Sequence, residues 1–298
     1  MLYICYGLLL SSDIELPELT EMNDSSICDN YPLIKIKIAH QTEILPPEAV
    51  QTNPHIWHCN GATYIIIPDV VCFFIKNGTE IRITPGHLSS SQVIRSLLFG
   101  PAMAALLFQR GIVVMRGATI QIGNNAMLII GRSGVGKSTL AAELISRGHK
   151  IIADDIAPID ENCVALQGPG QIKLWRESLD LLNISAEYIP KVRPEIQRFR
   201  LPCQATDSSE PLKVRWIYVM ESGKGIGYHI NKLSGINKFS QINNNLYNSS
   251  MLASDVLRAN YLAWCGRLSS LATMTEISRD TRGADINVIT NYIISELS

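Results

Sequence analysis

A mixed α/β fold, preceded by a β-rich portion, is what these 298 residues predict. Three observations carry the prediction. An apolar run at 126–130 meets the turn Gly131-Arg132-Ser133-Gly134-Val135-Gly136-Lys137-Ser138, and a helical pattern follows with Leu140, Ala141, Leu144 and Ile145 on one face. After Gly148 a second short apolar run, Ile151-Ile152-Ala153, ends in the paired acids Asp154 and Asp155. Residues 1–88 instead show short apolar stretches separated by turn residues.

The first of these is the G-x-x-x-x-G-K-[ST] phosphate loop in its strand–loop–helix setting. Glycines let backbone N–H groups curl around an anion where a Cβ would obstruct. The helix start adds its positive dipole end to the same place. The expected nucleotide contacts are Gly131, Ser133, Gly134, Val135, Gly136, Lys137, Ser138 and Thr139. Lys137 supplies a mobile positive charge for the β- and γ-phosphates, and the Ser138 hydroxyl is placed to ligate Mg²⁺. A glycine-rich turn that binds nothing is the alternative, and it requires no such run of matched positions. Asp154 and Asp155, at the exit of the next strand, can hold Mg²⁺ or accept a proton from a nucleophile. A solvated turn is the competing explanation for two adjacent acids.

In chain order, residues 2–10, 33–38, 62–67, 70–75 and 80–83 read as strands, with Asn77-Gly78 a hairpin turn and 18–30 a polar, acidic loop. His55, Trp57, His58 and Cys59 cluster, but their spacing matches no metal signature, so a β-rich patch is expected there. From Ser89 the period becomes helical, with Gly100-Pro101 dividing the helix, and the domain boundary is placed at 88/89. Residues 112–115, 119–122 and 163–166 are expected strands, and 174–182 has helical spacing around Trp175, read as a core residue. Residues 183–211 form an extended cationic loop with Lys191, Arg193, Arg198 and Arg200, either a solvated charge run or a contact for phosphate or substrate carboxylate. Residues 214–220 and 227–230 read as paired strands, 240–247, 252–271 and 285–297 as helices, and 274–278 as a strand.

Composition excludes several classes. A net charge of −1 leaves no electrostatic footprint for nucleic acid or an anionic membrane, so neither is an expected partner. Seven cysteines with no C-x-x-C spacing argue for a reducing, cytoplasmic setting. The apolar start at 1–10 has no basic flank and falls short of the ~20 residues of a membrane span, so a core strand is expected.

G-x-S-G-x-G-K-S followed by R-G-H-x-I-I-A-D-D resembles the catalytic domain of the HPr kinase/phosphorylase family. The likeness extends loosely to Tyr6-Gly7-Leu8, Lys173-Leu174-Trp175 and Arg198-Phe199-Arg200-Leu201-Pro202. It is nearest to HPr-kinase-related proteins with a different N-terminal portion, among them serine kinases that modify lasso-peptide precursors. The implied fold is an HPr-kinase-like P-loop domain over 89–298, behind an N-terminal β-rich domain that holds substrate. One position departs from the family. Its histidine in the strand before the loop, which pairs with the acid equivalent to Asp154, is replaced by Arg116, a group protonated at every working pH.

The resemblance and the loop together imply a cytoplasmic serine kinase using ATP, or another nucleoside triphosphate, and Mg²⁺. Asp154 is then the base, Asp155 and Ser138 the metal ligands, and Arg116 and Lys137 the charges on the transferred group. The expected partner is a peptide or small protein, and a homo-oligomer is compatible with this reading. A nucleotide-binding scaffold, an ATPase and an HPr-type protein kinase are the competing functions, the scaffold favoured by Arg116. With no stacking aromatic evident beside the loop, recognition of the base is expected to be loose.

Overall fold

The computed structural model describes residues 1–22, 30–206, 208, 210–223, 227–279 and 285–297. It divides into two compact units, Met1–Val114 with Asn248–Tyr261, and Met115–Tyr247 with Leu262–Ser298. Most of the acidic loop expected over 18–30 lies outside the described residues.

The first unit is built on an eight-stranded sheet. Its strands are β1 (Leu2–Cys5), β2 (Leu8–Ser12), β3 (Leu33–Ile38), β4 (Val50–Asn53), β5 (Ile56–Cys59), β6 (Ala62–Ile67), β7 (Val71–Lys76) and β8 (Glu80–Pro85), in the order β1-β2-β3-β8-β7-β6-β5-β4. The single strand expected over 2–10 is a hairpin, because Tyr6 and Gly7 both take positive φ, 55° and 69°. Asn77 and Gly78, at 53° and 63°, make the turn their sequence announced. In β3 the inward Ile34 and Ile36 alternate with exposed Lys35 and Lys37, the period of a half-buried strand.

The helical segment starts with α1 (Ser91–Leu97), breaks where Gly100 leaves helical geometry ahead of Pro101, and resumes as α2 (Met103–Gln109). It falls within the first compact unit. Burial supplies the reason: every residue from Met103 to Phe108 is at most 2% exposed, and α2 packs on β7. A helix apolar on all sides must be covered, and here a sheet covers it.

The second unit holds most of β9 (Val113–Ile122), then β10 (Asn125–Gly131), α3 (Lys137–Ser146), β11 (Lys150–Ala153) and β12 (Ile156–Ile159). After these come β13 (Gln171–Trp175), α4 (Arg176–Leu181), β14 (Arg198–Pro202), β15 (Lys213–Ser222), β16 (Tyr228–Lys232) and α5 (Gly235–Asn244). The chain closes with α6 (Asp255–Leu271), whose first half belongs to the other unit, β17 (Thr273–Arg279) and α7 (Ile286–Leu297). The main sheet runs β11-β9-β10-β15-β17-β16, with β12 also on β9, so β10 lies inside it. That position explains why Ala126 to Ile130 are all 0% exposed.

Four local expectations change. Residues 113–115 and 119–122 belong to one strand, β9, continuous through Gly117, which has no Cβ to stand 2.2 Å from the Ile129 carbonyl oxygen on β10. Leu174 and Trp175 end a strand, paired with Phe199 and Arg198 of β14, and the helix begins only at Arg176. β15 and β16 do not pair, since β17 lies between them, parallel to β15. Residues 163–166 form only isolated bridges, Val164 to Lys213 and Ala165 to Ile159.

Candidate active site

The loop between β10 and α3 is shaped by three glycines. Gly131 has φ +143°, and a Cβ there would meet the Met220 carbonyl oxygen at 2.2 Å. Gly134 and Gly136 take φ of +83° and +99°, left-handed geometry that side chains rarely adopt. Val135 is 3% exposed and its side chain packs into the core of the second unit, fastening the loop from behind. Lys137 folds back along the loop, its Nζ donating to the carbonyls of Gly131 at 2.8 Å and Arg132 at 2.7 Å. Burial lowers the Lys137 pKa to about 8, with Asp154 and Asp155 opposing and Arg116 and Arg198 assisting.

The two acids have different surroundings. Asp154 is 8% exposed; its Oδ1 accepts from Ser138 Oγ at 3.1 Å and its Oδ2 from the Lys173 backbone N–H at 2.7 Å. Burial, then the charge of Asp155, pushes its pKa up, against weaker pulls from Arg198 and Lys173. Asp155 sits at φ +74° and faces cations: Lys173 Nζ at 3.1 Å and Arg198 Nη2 at 3.3 Å. Burial alone would raise its pKa, but those two charges outweigh it and hold the carboxyl well below the usual range.

Arg116 stands on β9 as an exposed residue between buried Met115 and Gly117. Its Nη2 donates to the Tyr247 carbonyl at 2.7 Å, and its guanidinium lies 5.4 Å from the Tyr247 ring centroid. The segment carrying Tyr247 is anchored to β9 by the Arg116 N–H to Asn245 carbonyl bond, 2.9 Å, and by a bridge between Met115 and Leu246.

These groups line one cavity of about 600 Å³. It gathers Arg116, Ser133, Gly134, Gly136, Lys137, Ser138, Thr139, Asp154 and Asp155, whereas Gly131 and Val135 support the loop from outside its wall. Lys173, Trp175, Arg198 and Tyr247 line it too, and sequence reasoning missed most of their roles. Arg198 lies in the basic run with Lys191, Arg193 and Arg200, and Lys173 and Trp175 lie in Lys173-Leu174-Trp175. The core reading of Trp175 is corrected: it is 45% exposed, with the Arg198 guanidinium 5.9 Å from its ring centroid. Strand alternation gives the reason, since Leu174 takes the inward place at 0% exposure.

The donor set fits a polyphosphate with Mg²⁺. A half-buried ammonium, glycines that admit close backbone approach and a convergent hydroxyl and carboxylate are the groups that such a ligand uses. Ser138 is bonded to Asp154, and Asp155 to Lys173 and Arg198.

Residues 111–184 match the family model of the HPr Serine kinase C-terminal domain. Over 216 residues the chain is 27% identical to an HPr kinase/phosphorylase of Lactobacillus gasseri, covering 65% of each protein. An HPr kinase/phosphorylase of Lactobacillus acidophilus is 32% identical over 190 residues, 57% of each. The chain thus spans somewhat under two thirds of the length of the curated relatives it matches. A solved Hpr(Ser) kinase/phosphatase from Coxiella burnetii aligns over 61% of this chain and 89% of that one at 12% identity and TM-score 0.27, too loosely to bear on the fold. Through residues 111–184, which hold the glycine loop, both acids and Arg116, this chain is related to the HPr kinase/phosphorylase family.

Proposed function

We propose that this chain is a P-loop kinase that moves the γ-phosphoryl group of ATP, or another nucleoside triphosphate, to a serine hydroxyl on a peptide or small protein. The observation that carries the reading is the convergence of Ser138 Oγ and Asp154 Oδ1, 3.1 Å apart, beside Lys137 in the glycine loop. Phosphoryl transfer needs positioning and charge compensation more than covalent chemistry. Bound Mg²⁺ would supply neutralisation of the β- and γ-oxygens, and Ser138 would help to hold it.

In this reading Lys137 leaves its loop carbonyls to meet phosphate oxygens. Asp154 accepts the proton of the acceptor hydroxyl, held in place by the Lys173 N–H. Arg116 forms no ion pair among the described residues and lines the cavity, so its charge is free for the transferred group, as an arginine finger supplied in cis would be. Asp155 holds Lys173 and Arg198 on the wall, and with Ser138 it is the proposed Mg²⁺ ligand. The names of the relatives support an HPr-like protein acceptor. A lasso-peptide precursor rests on the sequence resemblance alone. The β-rich first unit is the proposed substrate holder, in a cytoplasmic enzyme.

The second reading, a nucleotide-binding scaffold, is favoured by Arg116 standing where the family has histidine. Single-turnover assays with γ-labelled ATP, with and without HPr-type proteins and serine peptides, separate the cases. A kinase transfers label to acceptor, an ATPase releases phosphate without one, and a scaffold binds nucleotide and does neither.

A further inference from the structure

We propose that Trp175 is the platform on which the nucleobase stacks, a deepening that rests on the phosphate-site reading above. The cavity's volume, about 600 Å³, takes a whole nucleotide and not only its phosphates. Its wall is chemically divided. Lys137, Arg116 and the two acids make one part polar, as a polyphosphate and its transfer require. Trp175 at 45% exposure and Leu181 at 52% are large apolar side chains left open on the same cavity, at either end of α4. Polyphosphate has no use for either group, whereas a planar heterocycle does.

α4 is tied to the phosphate loop. Ser178 Oγ and Thr139 Oγ1 are 2.8 Å apart, so α4 is fastened to the first turn of α3. Trp175 is itself fixed by the β13 to β14 pairing with Arg198, whose guanidinium lies over the indole. Arginine stacked on an indole adds cationic character to a stacking site. Every base has a π-face, so a platform of this kind tolerates adenine and guanine alike. Loose base identity and a stacking aromatic are therefore compatible.

The test compares ATP, GTP and inorganic tripolyphosphate, each with Mg²⁺, by calorimetry on wild type, Trp175→Ala and Trp175→Phe. Trp175→Ala should weaken ATP and GTP alike by roughly 5- to 100-fold, the range of base–aromatic stacking, and leave tripolyphosphate unchanged. Trp175→Phe should keep most of the affinity and abolish nucleotide-induced quenching of tryptophan fluorescence, which tripolyphosphate should not cause in wild type. Unchanged ATP affinity in Trp175→Ala overturns the platform, as does an equal loss for tripolyphosphate, which would mark a structural effect. A raised KM for the acceptor alone would assign Trp175 to the acceptor instead. Failure of wild type to bind tripolyphosphate would count against the phosphate-site reading, and the ATP comparison would still decide the platform.

Discussion

Ser138 on α3 donates its hydroxyl to Asp154 at the exit of β11, 3.1 Å away, joining the phosphate loop directly to one acid of the pair. Asp154 is the acid proposed to accept the proton of the acceptor hydroxyl. It gives the first prediction: Asp154→Asn should bind ATP yet transfer no phosphoryl group, and raising Mg²⁺ should not restore transfer. Phosphopeptide yield by mass spectrometry across a Mg²⁺ titration is the measurement. Recovery at high Mg²⁺ would turn Asp154 from proton acceptor into metal ligand.

Lys137→Ala removes the loop's ammonium. Charged hydrogen bonds of this kind are worth roughly 1.5–3 kcal/mol, which corresponds to about a ten- to hundred-fold loss of ATP affinity. Unchanged affinity by calorimetry would remove the phosphate-loop assignment.

Arg116→Ala should lower turnover more than nucleotide affinity, because its charge is proposed to serve the transferred group. Arg116→Lys should recover only part of the rate, since an ammonium lacks the planar fork and the stack on Tyr247. A change confined to ATP affinity would move Arg116 into ground-state binding.

Gly117→Ala would place a methyl 2.2 Å from the Ile129 carbonyl oxygen, a backbone atom that cannot swing away. Overpacking of this kind costs about 1–3 kcal/mol, and it should separate β9 from β10 just where Arg116 projects. Thermal unfolding should show a lower Tm than wild type. An equal Tm with full activity would contradict the described register.

His58 supplies a pH dependence in the first unit. Its Nε2 donates to the Ser250 carbonyl at 2.9 Å, and Nδ1 faces the Thr63 hydroxyl at 3.1 Å, which also accepts from Gln109 Nε2 at 3.0 Å. Burial lowers the His58 pKa below 6.5, partly offset by the Ser250 bond. A depressed folded-state pKa means the unfolded chain binds the extra proton first. Stability is therefore complete above pH ~6.5 and falls as pH drops below it. Denaturant unfolding of wild type and His58→Gln at pH 7.5 and 5.5 should show the wild-type advantage shrinking in acid. A constant difference would rule His58 out.

What could be read from the sequence was what is local in it. The glycine loop, its flanking strand and helix, and the two acids occupy one short stretch, so pattern alone exposed them. Arg198 joins Asp155 from 43 residues away, through a strand pairing that no periodicity announces. Trp175 was misplaced because apolar spacing cannot tell which side of a strand meets the core, and Leu174 had taken that side. The insertion of β17 between β15 and β16 escaped for the same reason, since parallel neighbours are joined by distant chain.

Lys173 grips both acids, Asp154 through its backbone N–H and Asp155 through its ammonium. The two grips differ in heritability. Any residue except proline at position 173 supplies the amide, so the orientation of Asp154 survives almost every single substitution there. The neutralisation of Asp155 is lost with one change of side chain. Drift at this position thus alters the charge of the cavity wall while the carboxylate beside Ser138 keeps its place.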